Sequence, residues 1–376
     1  MEVRKTMLAL CSMGRSLCCS ASGLLRTSVP CLCLLFAVGM PAQQPGIAGI
    51  GDNTKPTFTT FDPPGAIFTT PASINTAGAI AGSYGATDGE HGFVRAPDGT
   101  ITSFDPPGSG GSYAFGINAA GAITGYYVSG TTHVLYGFVR AADGTFTTFD
   151  APGNPTGAFE GATPVSINTA GAVTGYYVGS GSGYHGFVRA ADGAIAAFMV
   201  PGRSTLGESI NARGAIAGYY ADASGVDHGF VRAPGGTISF FDPAGASETY
   251  PQSINGAGAI TGYYFDAAGH HGFVRAPNGA ITTFDSPGAG TGGGGPGTYP
   301  YSINAGGAIA GRYVDANSVW HGFVRVASGA IFAFDVPGAA THGRRGTWPV
   351  SINNAGAVTG YYIDAKGVEH GFVLTP

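Results

Sequence analysis

Six histidines each stand directly before the same three residues, Gly-Phe-Val, and imidazoles repeated in this way could supply metal ligands or acid–base groups. They are His91, His185, His228, His271, His321 and His370. An aspartate follows four of them at a spacing of fourteen residues, at Asp105, Asp242, Asp285 and Asp335. Across a tight hairpin, this spacing places the two side chains opposite each other on neighbouring strands. We therefore interpret them as structural His–Asp pairs, with a ring of functional histidines as the alternative.

Two copies of this pair are broken. Tyr136 stands in the histidine position opposite Asp150, and Met199 stands in the aspartate position opposite His185. Residues that repeat in nearly every copy usually serve the repeated unit itself. A ligand site is better sought where the copies differ.

Several residues depart from the repeated text and share side chains suited to ligand binding. The most distinctive segment, residues 342–348, carries an imidazole, two guanidiniums and an indole. Such a set can bind an acidic sugar or another anion through charge and ring stacking. The predicted binding residues are His342, Arg344, Arg345, Trp348, Glu160, Tyr250 and Tyr299. A solvated loop with one anchored tryptophan is the alternative for residues 342–348.

No catalytic motif stands out from the sequence. It contains no Gly-x-Ser-x-Gly elbow, no His-Glu-x-x-His pair, no P-loop and no calcium-binding run of acids. Glu160, Glu208 and Glu248 could supply a carboxylate pair of the kind used in glycoside hydrolysis. All five cysteines lie within residues 1–42, so we expect no thiolate metal site. We expect no cofactor and no metal, and we leave enzymatic activity open with a preference against it.

The residues named above, apart from the cysteines, belong to a unit and its links that recur seven times. Its Ile-Asn step falls at Asn75, Asn118, Asn168, Asn211, Asn255, Asn304 and Asn353. A period of about 40–50 residues is typical of repeat architectures. Each unit contains four short runs rich in Ile, Val, Thr, Tyr and Phe, bounded by turn residues as strands are. The pattern predicts an all-β fold, a seven-bladed β-propeller with four antiparallel strands in each blade.

The phase of the two ends predicts how the ring closes. The last unit has only three strands, whereas residues 57–62 match the fourth strand of the other units. An N-terminal strand that completes the last blade removes the free sheet edges. His370 would then pair with Asp62. An open β-solenoid is the alternative.

The N-terminal residues are predicted to be a secretory signal. Residues 1–42 combine basic residues with a short apolar run, and we expect cleavage near Ala42. Residues 43–56 form a short N-terminal segment, and residues 57–376 form the propeller. Removing the signal takes away four of 17 basic residues and one of 22 acidic residues, which leaves a net charge of −8. A nucleic-acid-binding protein usually has a basic patch instead.

The repeated unit resembles a known family. Ile-Asn-x-x-Gly-x-Ile-x-Gly followed by His-Gly-Phe-Val is similar to the HAF repeat of bacterial extracellular proteins, which is named for His-Ala-Phe. Glycine replaces the alanine in this sequence, as at Gly92 and Gly371. The resemblance covers nearly all of residues 57–376. It implies export and a repeat fold, and it supplies no catalytic residues.

We expect a secreted or periplasmic protein that acts as an extracellular binding or interaction module, with carbohydrate as the leading ligand class. The alternatives are an exported carbohydrate-active enzyme, a hydrolase or lyase, and a structural surface protein. The expected partner is an extracellular glycan or protein, without nucleic acid or membrane insertion, and the chain is expected to be a monomer. We expect the site in the links between units, because binding groups collect in loops on rigid scaffolds.

Overall fold

The computed structural model describes residues 56–150, 152, 157, 159–178, 183–200, 202, 204–291 and 295–376. The predicted secretory signal, residues 1–42, lies outside the described residues, as do residues 43–55 of the predicted N-terminal segment. The described residues contain 28 strands and no helix. This part of the chain therefore has no helix able to cross a membrane. The all-β prediction is confirmed.

The strands are numbered in chain order. The first fourteen are β1 (Thr57–Phe61), β2 (Phe68–Ile74), β3 (Ile80–Gly85), β4 (Glu90–Arg95), β5 (Ile101–Phe104), β6 (Ser109–Ile117), β7 (Ile123–Ser129), β8 (Leu135–Arg140), β9 (Phe146–Phe149), β10 (Gly161–Ile167), β11 (Val173–Val178), β12 (Tyr184–Arg189), β13 (Ile195–Phe198) and β14 (Ser204–Ile210). The others are β15 (Ile216–Ala221), β16 (Asp227–Arg232), β17 (Ile238–Phe241), β18 (Glu248–Ile254), β19 (Ile260–Asp266), β20 (Gly269–Arg275), β21 (Ile281–Phe284), β22 (Gly297–Ile303), β23 (Ile309–Val314), β24 (Trp320–Arg325), β25 (Ile331–Phe334), β26 (Thr347–Ile352), β27 (Val358–Ile363) and β28 (Glu369–Thr375).

Consecutive strands pair as antiparallel meanders of four. We call β2–β5, β6–β9, β10–β13, β14–β17, β18–β21 and β22–β25 units 1 to 6. Unit 7 consists of β26, β27 and β28, and its fourth strand is β1. Strands β1 and β28 pair from Thr57 opposite Thr375 to Phe61 opposite Gly371. The N-terminal strand thus joins the last unit, as the phase of the sequence predicted.

Glycine turns set the register within each unit. In the turn between β4 and β5, the Gly99 N–H donates to the Ala96 carbonyl oxygen at 3.0 Å. Gly99 has a φ of +96°, a conformation that glycine adopts without a steric penalty. The turn sets Arg95 opposite Ile101. This is the register on which the predicted His–Asp pairs depend.

The phenylalanine of each Gly-Phe-Val fills the core between neighbouring units. These seven rings are at most 1% exposed: Phe93, Phe138, Phe187, Phe230, Phe273, Phe323 and Phe372. The preceding glycine is needed for this packing, because a Cβ at Gly92 would lie 2.3 Å from the Phe104 ring. In the other six units, a Cβ at the same position would lie 2.5–2.9 Å from the nearest atom. Close packing therefore accounts for glycine rather than alanine before the phenylalanine.

The asparagine of each Ile-Asn step joins one unit to the next. Its Nδ2 donates to the backbone oxygen of the corresponding asparagine in the following unit, at 3.0 or 3.1 Å. The series begins with Asn75 donating to Asn118, and Asn353 donates back to Asn75. These asparagines are buried. Each unit is thus tied to its neighbours by polar contacts as well as by an apolar core.

The repeated arginine adds a further contact between units. The guanidinium carbon of Arg95 lies 5.1 Å from the centroid of the Phe61 ring, which belongs to the preceding unit. Five other copies make the same contact at 4.8–5.1 Å. Cation–π contacts of this kind are stabilising. The repeated arginine therefore helps to hold neighbouring units together.

Candidate functional site

The predicted His–Asp partners lie within hydrogen-bond distance in five units. The Nδ1 to carboxylate distances are 2.7 Å for His91–Asp105, 2.8 Å for His228–Asp242, 3.0 Å for His271–Asp285, 3.0 Å for His321–Asp335 and 2.7 Å for His370–Asp62. In the unit without the aspartate, His185 Nδ1 lies 2.7 Å from the Met199 sulfur. These contacts agree with the interpretation of the histidines as parts of each unit.

A second carboxylate approaches the other nitrogen of each paired imidazole. Asp88 lies 3.2 Å from Nε2 of His91. Partial burial lowers the pKa of His91, but the hydrogen bonds and charges of Asp105 and Asp88 outweigh this effect and raise the pKa overall. In the described residues, no group of three or more His, Cys, Asp or Glu side chains could hold a metal ion.

The residues of segment 342–348 separate in the structure. His342 and Arg344 are exposed. Nη1 of Arg345 donates to the backbone oxygen of Ala365 at 2.9 Å, so this guanidinium serves a neighbouring turn. The ring of Trp348 instead packs among aromatic residues from other strands. The four residues do not form one group.

The other three predicted binding residues also lie apart. Glu160 accepts a hydrogen bond from the Gly157 N–H at 2.9 Å, within its own link. Tyr250 lies between units 4 and 5, where it contacts two carboxylates. Tyr299 belongs to the same aromatic group as Trp348. Of the seven predicted residues, the structure therefore brings Trp348 and Tyr299 together.

Five aromatic side chains of units 6 and 7 form what we call the aromatic cluster: Tyr299, Tyr301, Trp320, Trp348 and Tyr361. The Trp348 ring stacks on Tyr361 at a centroid distance of 5.3 Å and on Tyr301 at 5.8 Å. It meets Trp320 edge-on at 4.8 Å. All but Tyr299 are only partly buried. The cluster lies towards the link end. We define the link end as the end of the sheets where the fourth strand of each unit runs on to the first strand of the next unit.

Arg312 is enclosed by the aromatic cluster. Its guanidinium carbon lies 3.3 Å from the centroid of the Trp348 ring, 4.7 Å from Trp320 and 5.0 Å from Tyr299. Arg312 is 9% exposed, and its Nε and Nη1 have no hydrogen-bond partner. Among the residues that the structure describes, no carboxylate forms an ion pair with it. The cluster therefore holds a positive charge with unused hydrogen-bond donors.

Two carboxylates share one hydroxyl between units 4 and 5. The Tyr250 hydroxyl lies 2.8 Å from Asp227 Oδ2 and 2.8 Å from Glu248 Oε2. A phenol has a single proton, so both contacts are hydrogen bonds only when one carboxyl group is protonated. Burial raises the pKa of Asp227, the hydrogen bond from Tyr250 opposes this rise, and the charge of Glu248 adds to it. This group can hold a shared proton.

Glu208 lies in β14, the first strand of unit 4, at a point where the pairing with β15 is irregular. The pairing of β14 with β15 skips Glu208, between Gly207 and Ser209. The other units have an apolar residue or a neutral polar residue at the same position: Ala72, Phe115, Val165, Gln252, Tyr301 and Val350. Burial raises the pKa of the Glu208 carboxyl from 4.5 to about 7. An uncharged acid is therefore present here over much of the acidic pH range.

Sequence reasoning missed Arg312 and Asp227, although the aligned repeats contain a signal for both. Arg312 occupies a position where five other units have tyrosine and unit 1 has Ser83. Asp227 occupies the position directly before the histidine, which varies among units and is Trp320 in unit 6. The predicted binding site was placed in the links, whereas these two variable positions lie within strands.

A separate open cleft lies at the opposite end of the sheets, between units 4 and 5. It has a volume of about 420 Å³ and is lined mainly by the turns within the units, including Asn211, Arg213, Pro234 and Pro277. Most of these residues belong to the repeated turns. The cleft does not contain a group of aromatic and charged side chains comparable to the aromatic cluster with Arg312. The chemistry of the side chains therefore favours the link end.

Sequence comparison identifies no relative. No protein-family model matches the chain, and no curated protein sequence matches it.

Structural comparison identifies the fold. A catalytically inactive virginiamycin B lyase from Staphylococcus aureus, solved with quinupristin, superposes with a TM-score of 0.55 and 13% identity, over 86% of this chain and 100% of the lyase. The β-propeller domain of the Trilobed protease from Pyrococcus furiosus gives a TM-score of 0.51 and 10% identity, over 81% of this chain and 95% of that domain. The chain is a β-propeller. Puromycin hydrolase gives a TM-score of 0.54 and 16% identity, over 82% of this chain and 52% of the hydrolase. Identities this low support a common propeller fold and no common activity.

Proposed function

We propose that this protein is a secreted binding module and that it binds an extracellular carbohydrate at the aromatic cluster. The cluster is the observation that carries the proposal. It combines the partly exposed side chains of Trp348 and Trp320 with tyrosine rings, at positions where the units differ. Tryptophan and tyrosine offer flat apolar faces with polar edges, which suit the C–H faces and hydroxyl edges of sugars.

We further propose that the propeller is a closed ring of seven blades, with β1 as its latch. Two observations support this architecture. Strand β1 completes the sheet of unit 7, and the series of asparagine hydrogen bonds returns from Asn353 to Asn75. A closed propeller leaves only short, protected sheet edges. It would hold the aromatic cluster rigidly between units 6 and 7, close to the latch.

Export belongs to the same proposal, and its support comes from the sequence. The basic and apolar pattern of residues 1–42 is that of a secretory signal, and the repeats resemble the HAF repeat of extracellular proteins. The sequence after residue 42 contains no cysteine. N-terminal sequencing of the exported protein should give a start close to Gln43. Export with residues 1–42 retained would contradict the proposed cleavage.

A second candidate function, an exported carbohydrate-active enzyme, is favoured by the pair of Asp227 and Glu248. Their oxygens both contact the Tyr250 hydroxyl at 2.8 Å, so the separation of these oxygens cannot exceed twice that distance. Retaining glycosidases place two carboxyl groups about 5 Å apart. Tyr250 occupies the space between the two acids, which favours the binding function. Hydrolysis of a bound glycan that Asp227→Asn abolishes would establish the enzyme instead.

A glycan array probed with the chain from Gln43 onward tests the binding function. The matched variant is Trp348→Thr, because units 1 and 3 have threonine at this position, as Thr70 and Thr163. Loss of the ring is expected to weaken binding roughly 5- to 150-fold, taking the contribution of about 1–3 kcal/mol for a nucleobase stacked on an aromatic ring as a guide. The control is Phe240→Ala, which removes a 53% exposed ring on an outer strand. Absence of glycan binding by the wild-type chain would refute the proposal.

A further inference from the structure

We propose that the ligand of the aromatic cluster carries a carboxylate and that Arg312 binds this carboxylate. The inference rests on the proposed function, because it assigns a chemical class to the ligand of the same site. A uronic acid, a sugar with a carboxylate in place of its terminal hydroxymethyl group, has the required chemistry. The carboxylate would meet the guanidinium while the sugar ring lies on tryptophan.

Arg312 differs from the arginines that repeat in the units. Six of those arginines lie over a phenylalanine of the preceding unit, and each has one unpartnered buried nitrogen, Nε. The Nη1 of Arg95, for example, is partnered, because it donates to the backbone oxygen of Ala96. Arg312 is the one arginine among the described residues with two unpartnered buried nitrogens, Nε and Nη1. Its donors are thus free for a partner that the protein itself does not supply.

The position of Arg312 also argues against a purely structural role. Five units have tyrosine here, so the fold does not require a charge at this position. A buried guanidinium without a counter-ion is costly, and contact with ring faces compensates for only part of that cost. Residues that lower stability and have no structural role are concentrated at functional sites. A ligand carboxylate would supply the missing counter-charge through charge-assisted hydrogen bonds.

The surroundings of Arg312 favour an anion over a cation. The charge of Arg344, on the exposed link of residues 342–346, acts on Tyr299 together with that of Arg312. Two guanidiniums therefore act on the same ring of the cluster. One acid, Glu369 of unit 7, acts on Tyr361 of the cluster together with Arg312, but burial raises the pKa of Glu369 and thus disfavours its charged form. Asp227 and Glu248 instead contact Tyr250 between units 4 and 5. The positive potential at the cluster would attract a negatively charged ligand and repel a positively charged one.

Tryptophan fluorescence offers a direct readout of this site, because Trp320 and Trp348 are the only tryptophans of the sequence. The probes are oligomers of galacturonate, glucuronate and mannuronate, each compared with its methyl ester. Esterification keeps the sugar ring and removes the charge. We expect at least one acidic oligomer to change the fluorescence and to bind roughly 10- to 100-fold more tightly than its ester, the range of a charged hydrogen bond.

The decisive variant is Arg312→Tyr, which installs the residue that five other units carry. We expect this variant to bind the acid and the ester with equal affinity. We also expect it to melt at the same temperature as the wild type or higher, because a buried unpaired charge is removed. Arg312→Gln serves as a second variant if the tyrosine lowers the melting temperature. Arg95→Gln is the matched control for a repeated arginine and should keep the preference for the acid.

Three results would overturn the inference. One is equal binding of each acid and its ester by the wild type. Another is a preference for the acid that persists in both Arg312 variants. The third is binding of neutral array glycans with no response to any acidic oligomer. In all three cases glycan binding itself can stand, whereas a chain that binds no glycan of any kind would refute the proposed function as well.

Discussion

Replacing Glu208 by glutamine is predicted to stabilise the folded chain above pH 7. Glutamine occupies the same position in the next unit, as Gln252, so the substitution suits the local backbone. Burial raises the pKa of Glu208 from 4.5 to about 7. At about 1.4 kcal/mol per pKa unit, the full shift corresponds to roughly 3 kcal/mol. The side chain is partly accessible, and water therefore reduces the cost, so we expect a gain of about 2 kcal/mol.

The sign of the pH dependence follows from the raised pKa. Between pH 4.5 and about 7, the folded state binds the proton of Glu208 more tightly than the unfolded state does. The stabilising contribution of this proton is fully present below pH 4.5 and is lost as the pH rises through about 7. Glutamine does not titrate, so the variant does not lose stability in this way as the pH rises. The difference in stability between variant and wild type should therefore grow from pH 4.5 to pH 8.

The assay is urea unfolding of the wild type and Glu208→Gln at pH 4.5 and pH 8. Other titrating groups contribute equally to both proteins, so the change in their difference isolates Glu208. The reverse substitution, Gln252→Glu, is the matched control and should lower the stability of unit 5 at pH 8 more than at pH 4.5. A difference between the variant and the wild type that is the same at both pH values would refute the reasoning.

The remaining predictions concern the latch and the shared proton. Asp62→Ala should lower the melting temperature more than Asp285→Ala, because Asp62 accepts a hydrogen bond from Thr69 besides pairing with His370 across β1 and β28. We expect a loss of about 1–2 kcal/mol against less than about 1 kcal/mol, and equal losses in matched thermal melts would contradict the latch. Tyr250→Phe should destabilise the chain by about 1–3 kcal/mol at pH 8, because the hydroxyl that lies between two half-buried carboxylates and donates to one of them is lost. The loss should be smaller at pH 4.5, where protonation relieves their repulsion, and a loss independent of pH would contradict the shared proton.

Much of the fold could be predicted because the information is local and repeated. The turn at Gly99 needs a positive φ, and its register determines which residues oppose each other. The place of β1 beside β28 could also be predicted, because unit 7 lacks a strand that residues 57–62 match. These features recur or complement each other in the sequence itself. Periodicity was therefore sufficient to find them.

The candidate site was harder to predict because it depends on packing between units. Trp320, Tyr299 and Arg312 belong to unit 6, whereas Trp348 belongs to unit 7. Their contacts follow from how two sheets face each other, which strand periodicity does not reveal. The segment of residues 342–348 looked like one site because its residues are adjacent in sequence. Neighbouring residues in an extended chain point to different sides, and Arg345 and Trp348 accordingly have different partners.

The most direct test of the account is a crystal structure of the chain with a glycan selected on the array. We predict a sugar ring stacked on Trp348 or Trp320 at the link end, with its carboxylate within about 3 Å of the Arg312 guanidinium. A glycan bound at the opposite end, in the cleft beside Arg213 and Pro234, would contradict the account.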